Sequence, residues 1–295
     1  MSKYLVVTGG AGFIASNLIK LLLQKTKFKI ISLDNYSTGS KKNHILNKRI
    51  KYIRGNTVDF EKIFKNNKKK IHSIFHFAEF SRIYQSFKKK DECFRSNIKG
   101  THEVIKFCLN NKIKIIYSAT SASLGKEGND QNLSPYAFTK STNMNLMMNL
   151  NEWFGLKYEI VYFYNVYGPN QIKGTNMAAV IGIFENCFKN NKPLPIVLPG
   201  TQTRRFTHVK DTVNTCYKAW KLNRNSHYSI SSRQSYSINQ VATFFSKNKK
   251  YIPERMGERF KSTIIKKIRN KKITNFVGNM ELKVYIKKFK ENYIG

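Results

Sequence analysis

A strand, a glycine turn and a helix at the amino end limit this chain more than any other feature. The apolar run Tyr4 to Thr8 leads into Gly9-Gly10-Ala11-Gly12, and a stretch of helical period, Phe13 to Leu23, follows at once. Glycines at 9 and 12 permit a tight turn. They also let backbone N–H groups and the helix start approach a pyrophosphate, where unpaired donors and the helix dipole favour the anion. Position 15 is Ala where the full spacing has a third glycine, and a methyl there bears only on helix-to-strand packing. The segment predicts the first unit of a doubly wound sheet, with an anion-binding cradle at Gly9, Gly12, Phe13 and Ile14.

Strand-length apolar runs go on alternating with helical stretches. Lys29 to Leu33, Ile50 to Arg54, Ser73 to Phe77, Ile113 to Ser118 and Tyr158 to Phe163 read as strands; Cys93 to Leu109 and Pro135 to Phe154 read as helices. Short buried strands separated by helices imply parallel pairing through right-handed crossovers. After Gly168-Pro169 the rhythm breaks, and Pro193, Pro195 and Pro199 cluster. The expected architecture is α/β: a doubly wound parallel (Rossmann) sheet over 1–165, rejoined by about 206–225, with a smaller mixed α/β substrate-binding domain mainly over 166–295.

Composition narrows the function classes. Hydrophobic residues make up 41% and aromatic residues 13% of the 295, as in a globular protein, and no apolar run approaches the roughly 18 residues of a membrane span. The opening residues run straight into a strand with no secretory signal, so a cytoplasmic protein is expected. Cys93, Cys108, Cys187 and Cys216 are far apart and form no C-x-x-C, which favours isolated thiols over a metal site. The formal charge of +36 invites a nucleic-acid reading. Yet the lysines recur in short clusters along the whole chain, set among Asn and Ile, as on solvated surface. A positive field also attracts a diphosphate.

Asp34 ends the second strand, where a carboxylate can take the adenosine ribose hydroxyls and repel a 2′-phosphate, so NAD is the expected cofactor. Asn56 and Thr57 follow the third strand, within reach of an adenine. Farther on, Tyr136 and Lys140 lie one turn apart on one face of a helix with Ser134 as N-cap and Pro135 at its first position. With 16 tyrosines and 53 basic residues in the chain, on the order of three such pairs arise by chance; the helix start gives this one its context. A Lys ammonium beside a phenol favours the phenolate and brings it toward neutral pH, where it can act as a base.

The blocks TGGAGFIAS, LDNYSTG, IFHFAEFSRIYQSF, NIKGT, SPYAFTK, FYNVYGP and TRRFTHVKD come in the order of the extended short-chain dehydrogenase/reductases. Over nearly its whole length the chain resembles their NAD-dependent nucleotide-sugar epimerase/dehydratase branch, UDP-glucose 4-epimerase-like. The resemblance implies that Tyr136 and Lys140 are the catalytic pair and that Lys140 also holds the nicotinamide ribose. It adds Asn35, Phe77 and Ala78 to the cofactor site. Within Ser118 to Gly125, counting back from Gly125 places Thr120 as the assisting hydroxyl, with the nearby Ser118 and Ser121 as alternatives by a slip of register.

On the substrate side the resemblance implies contact of Asn165 with the sugar diphosphate, and of Arg204 and Arg255 with its phosphates. Arg205 stands at a more commonly acidic position and leaves open which arginine of that pair binds. Glu79, Ser81 and Arg82 replace residues that are small in many relatives and are expected beside the nicotinamide and sugar, setting sugar specificity. His76 is expected as a packed strand-end residue.

Relatives that dehydrate the sugar carry an acidic pair just after the assisting hydroxyl, and elimination needs such an acid. This chain has Ser121 and Ala122 there. The best-supported reaction is 4-epimerization of a nucleotide sugar, of the UDP-glucose or UDP-N-acetylhexosamine type, through a transient 4-keto sugar, in cell-surface polysaccharide biosynthesis. A nucleotide-sugar dehydratase or reductase is the alternative, and a non-catalytic NAD- or nucleic-acid-binding protein stands below it. No metal and no specific nucleic-acid partner are expected. Homodimers are common in the family.

Overall fold

The computed structural model describes residues 3–123, 132–258 and 264–294. The glycine turn joins β1 (Tyr4–Thr8) to α1 (Phe13–Lys25), and the alternation continues through β2 (Lys29–Asp34), β3 (Ile50–Arg54), α2 (Phe60–Phe64) and β4 (Ile71–His76). Then come α3 (Ile83–Lys88), α4 (Lys90–Phe94), α5 (Thr101–Asn110), β5 (Lys114–Thr120), α6 (Pro135–Phe154) and β6 (Tyr158–Phe163).

The six strands pair in parallel in the order β3-β2-β1-β4-β5-β6. From β1 the chain runs outward to β3 and then crosses back to β4 on the other side, and at such a reversal a crevice opens over the carboxyl ends of the strands. The register sets which residues meet along that edge. Thr8 lies opposite Leu33 and His76, His76 opposite Tyr117, and Thr120 opposite Phe163.

Successive residues of β1 feed opposite faces of the sheet, as strand geometry requires. Val6 joins a core with Phe60, Phe107, Tyr117 and Met144, while Leu5 and Val7 join another with Leu18, Val161 and Trp220. Burial on both faces explains why these strands read as nearly continuous apolar runs.

Beyond β6 the chain returns to this sheet. The helix Val209–Leu222 adds Val209, Val213 and Trp220 to the core that α1 also covers. The strand His227–Ser232 pairs in parallel with β6, Lys271–Gly278 pairs in parallel with that strand, and Lys267–Ile268 closes the edge antiparallel. The sheet has nine strands among the described residues, so the return runs well past the 206–225 segment read from the sequence. A smaller core gathers Phe184, Phe206, Val241, Phe245 and Ile286 from the helices Val180–Lys189, Ile238–Phe245 and Leu282–Ile294 and the segments between them.

Two helical details position the site. Ser134 caps α6 by accepting the Ala137 N–H at 3.1 Å, and Pro135 occupies the first turn, so Tyr136 and Lys140 rise from a fixed helix start. Between α4 and α5 the helix widens into a π turn over Arg95–Gly100. The lysines at 68–70 and 88–90 are exposed. Among the described residues no helix is long and apolar enough to cross a membrane.

Candidate active site

A cleft of about 910 Å³ runs along the carboxyl ends of β1, β2, β4 and β5 toward the smaller unit, a size usual for small-molecule sites. Gly9, Gly12, Phe13 and Ile14 form one wall. Gly9 has φ +70°, and a Cβ there would stand 3.0 Å from the Phe77 carbonyl and the Ala78 nitrogen. At Gly12 a Cβ would stand 3.0 Å from the Gly9 oxygen. Only bare backbone fits between β1 and β4, and no side chain caps α1, so the first-turn N–H groups are left for an anion. The donor set and the shape fit the pyrophosphate of a dinucleotide.

Asp34 is buried at the end of β2. Its carboxylate accepts the Ala11 N–H at 2.9 Å and the Tyr36 N–H at 2.7 Å. Burial pushes its pKa up, and the two backbone donors oppose that rise. Two acceptors per oxygen leave the carboxylate able to take ribose hydroxyls from the cleft it lines. Asn35 lines the cleft while its amide oxygen accepts the Ser37 N–H. Asn56 caps the turn after β3, and Thr57 lies buried beside it. Phe77 and Ala78 also line the cleft, and their N–H groups donate to Thr8 Oγ1 at 3.0 and 3.1 Å.

Tyr136 lines the same cleft as the glycine turn. Its ring packs with Phe80 and Ala122, and its hydroxyl has no hydrogen-bond partner among the described residues. Thr120 also lines the cleft, at the end of β5, where its Oγ1 accepts the Ala122 N–H at 3.2 Å. Ser118, the alternative two residues before, donates its hydroxyl to the His76 carbonyl instead. Gly125, from which the register of Thr120 is counted, lies outside the described residues. Lys140 sits one turn beyond Tyr136, almost wholly buried, and its ammonium donates to the Ser118 carbonyl at 2.5 Å.

Glu79 departs from the sugar-contacting position expected of it. It lines the cleft, but its carboxylate is buried there in an ion pair with Lys140, the two side chains being only 2% and 4% exposed. The other oxygen accepts from Thr101, Tyr117 and Asn143 at 3.0, 2.9 and 3.1 Å. A carboxylate in an apolar interior needs such partners, which is the physical reason for its direction. Ser81 is exposed on the cleft wall. Arg82 also lines it; Nε donates to the Met177 carbonyl at 2.6 Å and Nη1 to that of Ser81 at 2.8 Å. Burial disfavours its charge, and the neighbouring Tyr136 favours it.

Arg204 reaches the cleft and pairs with Glu258 at 2.6 Å. Arg205 turns the other way, donating Nη1 to the backbone carbonyls of Ser232 and Arg233 at 2.9 and 2.5 Å. The arginine facing the cleft is therefore Arg204. Asn165, at φ 39°, lines the cleft and donates to the Arg205 carbonyl at 3.2 Å. Arg255 stands apart from the lining, its guanidinium 5.2 Å over the ring of Tyr84 on α3. His76 is fully buried between Thr8 Oγ1 at 2.8 Å and Thr101 Oγ1 at 2.9 Å, and burial lowers its pKa to about 4.

Sequence reasoning missed Tyr117, Asn143 and Thr101, which surround Glu79. One signal pointed there: a lone acid at the end of an apolar strand, in a chain with only 17 acidic residues.

Comparison with known proteins agrees with this geometry. The profile of the NAD dependent epimerase/dehydratase family matches residues 5–231. A dTDP-D-glucose 4,6-dehydratase of Dictyostelium discoideum is 32% identical over 240 residues, 71% of this chain and 54% of that protein, so the chain spans about half of that relative's length. The crystal structure of a UDP-glucose 4-epimerase with UDP-glucose from Thermotoga maritima superposes with a TM-score of 0.86 at 22% identity, covering 99% of this chain and 100% of that one. A UDP-N-acetylglucosamine 4-epimerase from Methanobrevibacter ruminantium, in complex with UDP-N-acetylmuramic acid, gives 0.82 at 25% identity, covering 99% of this chain and 97% of that one. A glycine cradle with Asp34 behind it, a helix-borne Tyr136 and Lys140 across the cleft, and a family match over most of its length together make this chain a member of the NAD-dependent epimerase/dehydratase family.

Proposed function

We propose that the protein is an NAD-dependent 4-epimerase of a nucleotide-diphosphate sugar. Residues 1–165 with the returning sheet strands hold the cofactor through Gly9, Gly12, Phe13, Ile14, Asp34 and Lys140, and the part after 165 holds the substrate. When bound, NAD supplies a reversible two-electron acceptor for the sugar's C4. Tyr136 takes the proton of the C4 hydroxyl, and Thr120, on the same sugar oxygen, steadies that oxygen by a hydrogen bond. Arg204 keeps the diphosphate tethered through charge-assisted bonds while the 4-keto sugar turns. Tyr136 then returns the proton to the oxygen of the inverted carbon, and no net oxidation results.

The observation that carries epimerization over elimination is the placing of the acids. Those lining the cleft among the described residues are Asp34, Glu79 and Glu92. Asp34 lies at the adenosine end, Glu79 is held by Lys140, and Glu92 is paired with Lys89 at 2.8 Å. Ser121 and Ala122 follow Thr120, so no carboxyl is set there to protonate a departing hydroxyl. Dehydration remains the second reading because relatives bearing that name match the chain.

With that reading go a cytoplasmic setting, a role in cell-surface polysaccharide synthesis and, from the family resemblance alone, a homodimer. Incubation with UDP-, GDP-, ADP- and CDP-sugars, followed by separation of products by mass and stereochemistry, tests it. An isomer of unchanged mass is expected, and a product lighter by one water would overturn it. Tyr136→Phe is expected to keep NAD binding while kcat falls by about 10²- to 10⁴-fold.

A further inference from the structure

The Lys140 ammonium has three donors. One goes to Glu79 and one to the Ser118 carbonyl at 2.5 Å; the Ser118 hydroxyl, at 3.5 Å, is long for a third. The ammonium also lies 4.8 Å over the Tyr117 ring, so its weakest tie, the long contact to the Ser118 hydroxyl, is the one a ligand in the cleft can replace. Glu79 is also the end of a directed hydrogen-bond chain that begins in the cradle. Thr8 Oγ1 already accepts the N–H groups of Phe77 and Ala78, so its own proton goes to His76 Nδ1. His76 Nε2 then donates to Thr101, and Thr101 donates to Glu79. Both oxygens of this carboxylate are engaged inside the protein.

The charged and titratable groups around the pair fall on each neighbouring element. His76 on β4 is neutral near pH 7, since burial holds its pKa at about 4. Cys93 on α4 is pushed up to about 11 by burial, and the Tyr117 phenol on β5 is pushed well above its ordinary value by burial and by Glu79. Arg82, before α3, stands by Tyr136. Of these neighbours, Arg82 is the one that adds a further charge beside the Glu79–Lys140 ion pair. The anion touches the very ammonium that, on the proposed reading, favours a Tyr136 phenolate.

We infer that Glu79 is a positioning residue: by clamping the Lys140 ammonium it holds that cation in place beside the cleft and offsets part of the charge it presents to Tyr136. The sign follows from charge. A carboxylate beside the lysine cancels much of the lysine's field at the phenol and adds its own repulsion of the phenolate. Removing that negative charge, while keeping the shape and the acceptor, exposes Tyr136 to an uncompensated ammonium.

Glu79→Gln tests this on the NAD-loaded protein. The acid limb of kcat is expected to move down by about one pH unit, with the KM for the nucleotide sugar little changed. Glu79→Asp, which keeps the charge, is expected to leave the limb where the parent has it. A second measurement needs no turnover: the ultraviolet tyrosinate titration of the NAD-loaded protein, minus that of its Tyr136→Phe counterpart, should show the same downward move in Glu79→Gln. A limb and a titration that stay put overturn the inference, as does a change in KM alone, which would mark Glu79 as a sugar contact. The inference rests on Tyr136 being the base, and the parent Tyr136→Phe variant separates the two failures. If that variant turns over, the proposed mechanism falls; if it is inactive while Glu79→Gln shifts nothing, only the role of Glu79 falls.

Discussion

The Asp34 carboxylate lies 2.9 Å from the backbone nitrogen of Ala11, so the acid that ends β2 is locked against the glycine turn that follows β1. One residue thereby fixes the cradle and presents its remaining acceptors to the cleft. Asp34→Asn removes the charge and keeps the outline. NAD affinity is expected to fall by about 10-fold or more, the worth of a charge-assisted hydrogen bond, while NADP loses less because the repulsion of its 2′-phosphate goes with the charge. Calorimetric titration of both dinucleotides reads the ratio, and an unchanged NAD to NADP ratio would contradict the role.

Arg204 and Arg205 adjoin in sequence and face opposite ways. Arg204→Ala should raise the KM for the nucleotide sugar by about 10- to 100-fold, as expected for a lost guanidinium–phosphate contact, with little change in melting temperature. Arg205→Ala should do the reverse, since its Nη1 ties down the Ser232 and Arg233 carbonyls. Its cost is about 1 to 3 kcal/mol of stability, read by denaturant melts, with KM close to the parent's. Equal effects of the two on KM would remove the distinction drawn from their directions.

Two buried histidines set how the fold meets acid. His76 and His227 both have their pKa lowered from 6.5 to about 4 by burial. A depressed folded value means the stabilisation is complete above the unfolded pKa and is lost as pH falls toward the folded one. For each histidine the drop is worth at most roughly 3 kcal/mol. Unfolding free energy should therefore decline between about pH 6.5 and 4, and a His227→Asn variant should show a shallower decline by about one proton. A decline of the same steepness in that variant would remove His227 from the account.

Much of this was legible beforehand where local chemistry decides the outcome. The glycine turn, the six parallel strands and the capped start of α6 at Ser134 follow from patterns that neighbouring residues set by themselves. The strand His227–Ser232 was hidden because polar residues alternate with its two apolar ones: His227, Ser229 and Ser231 are buried beside Tyr228 and Ile230 yet hardly read as core. They are satisfied by partners from elsewhere, Tyr162 for His227 and Asn275 for Ser229, which no window of sequence displays. Glu79 was misplaced for the same reason. Its direction is set by Lys140, Tyr117 and Asn143, all distant in the chain, and the resemblance to relatives with a small residue there offered no partner for a charge. The side of the chain on which Arg204 rather than Arg205 falls depends on the short pairing of Thr203–Arg204 with Tyr236–Ser237, again a contact across the sequence.

The π turn at Arg95–Gly100 has a bearing on how tolerant this protein is of length changes. The Asn97 side chain grips the Phe80 backbone by both its N–H and its carbonyl, at 2.6 and 3.1 Å, while its own main-chain oxygen is taken by Asn143 at 2.6 Å. Shortening the helix by a single residue would swing everything ahead of the cut by roughly 100°, and the amide would let go of the loop just beyond Glu79. An extra residue in the helical winding thus acts as an index mark between two helices, and a deletion at this point would loosen the loop that holds Glu79 against Lys140.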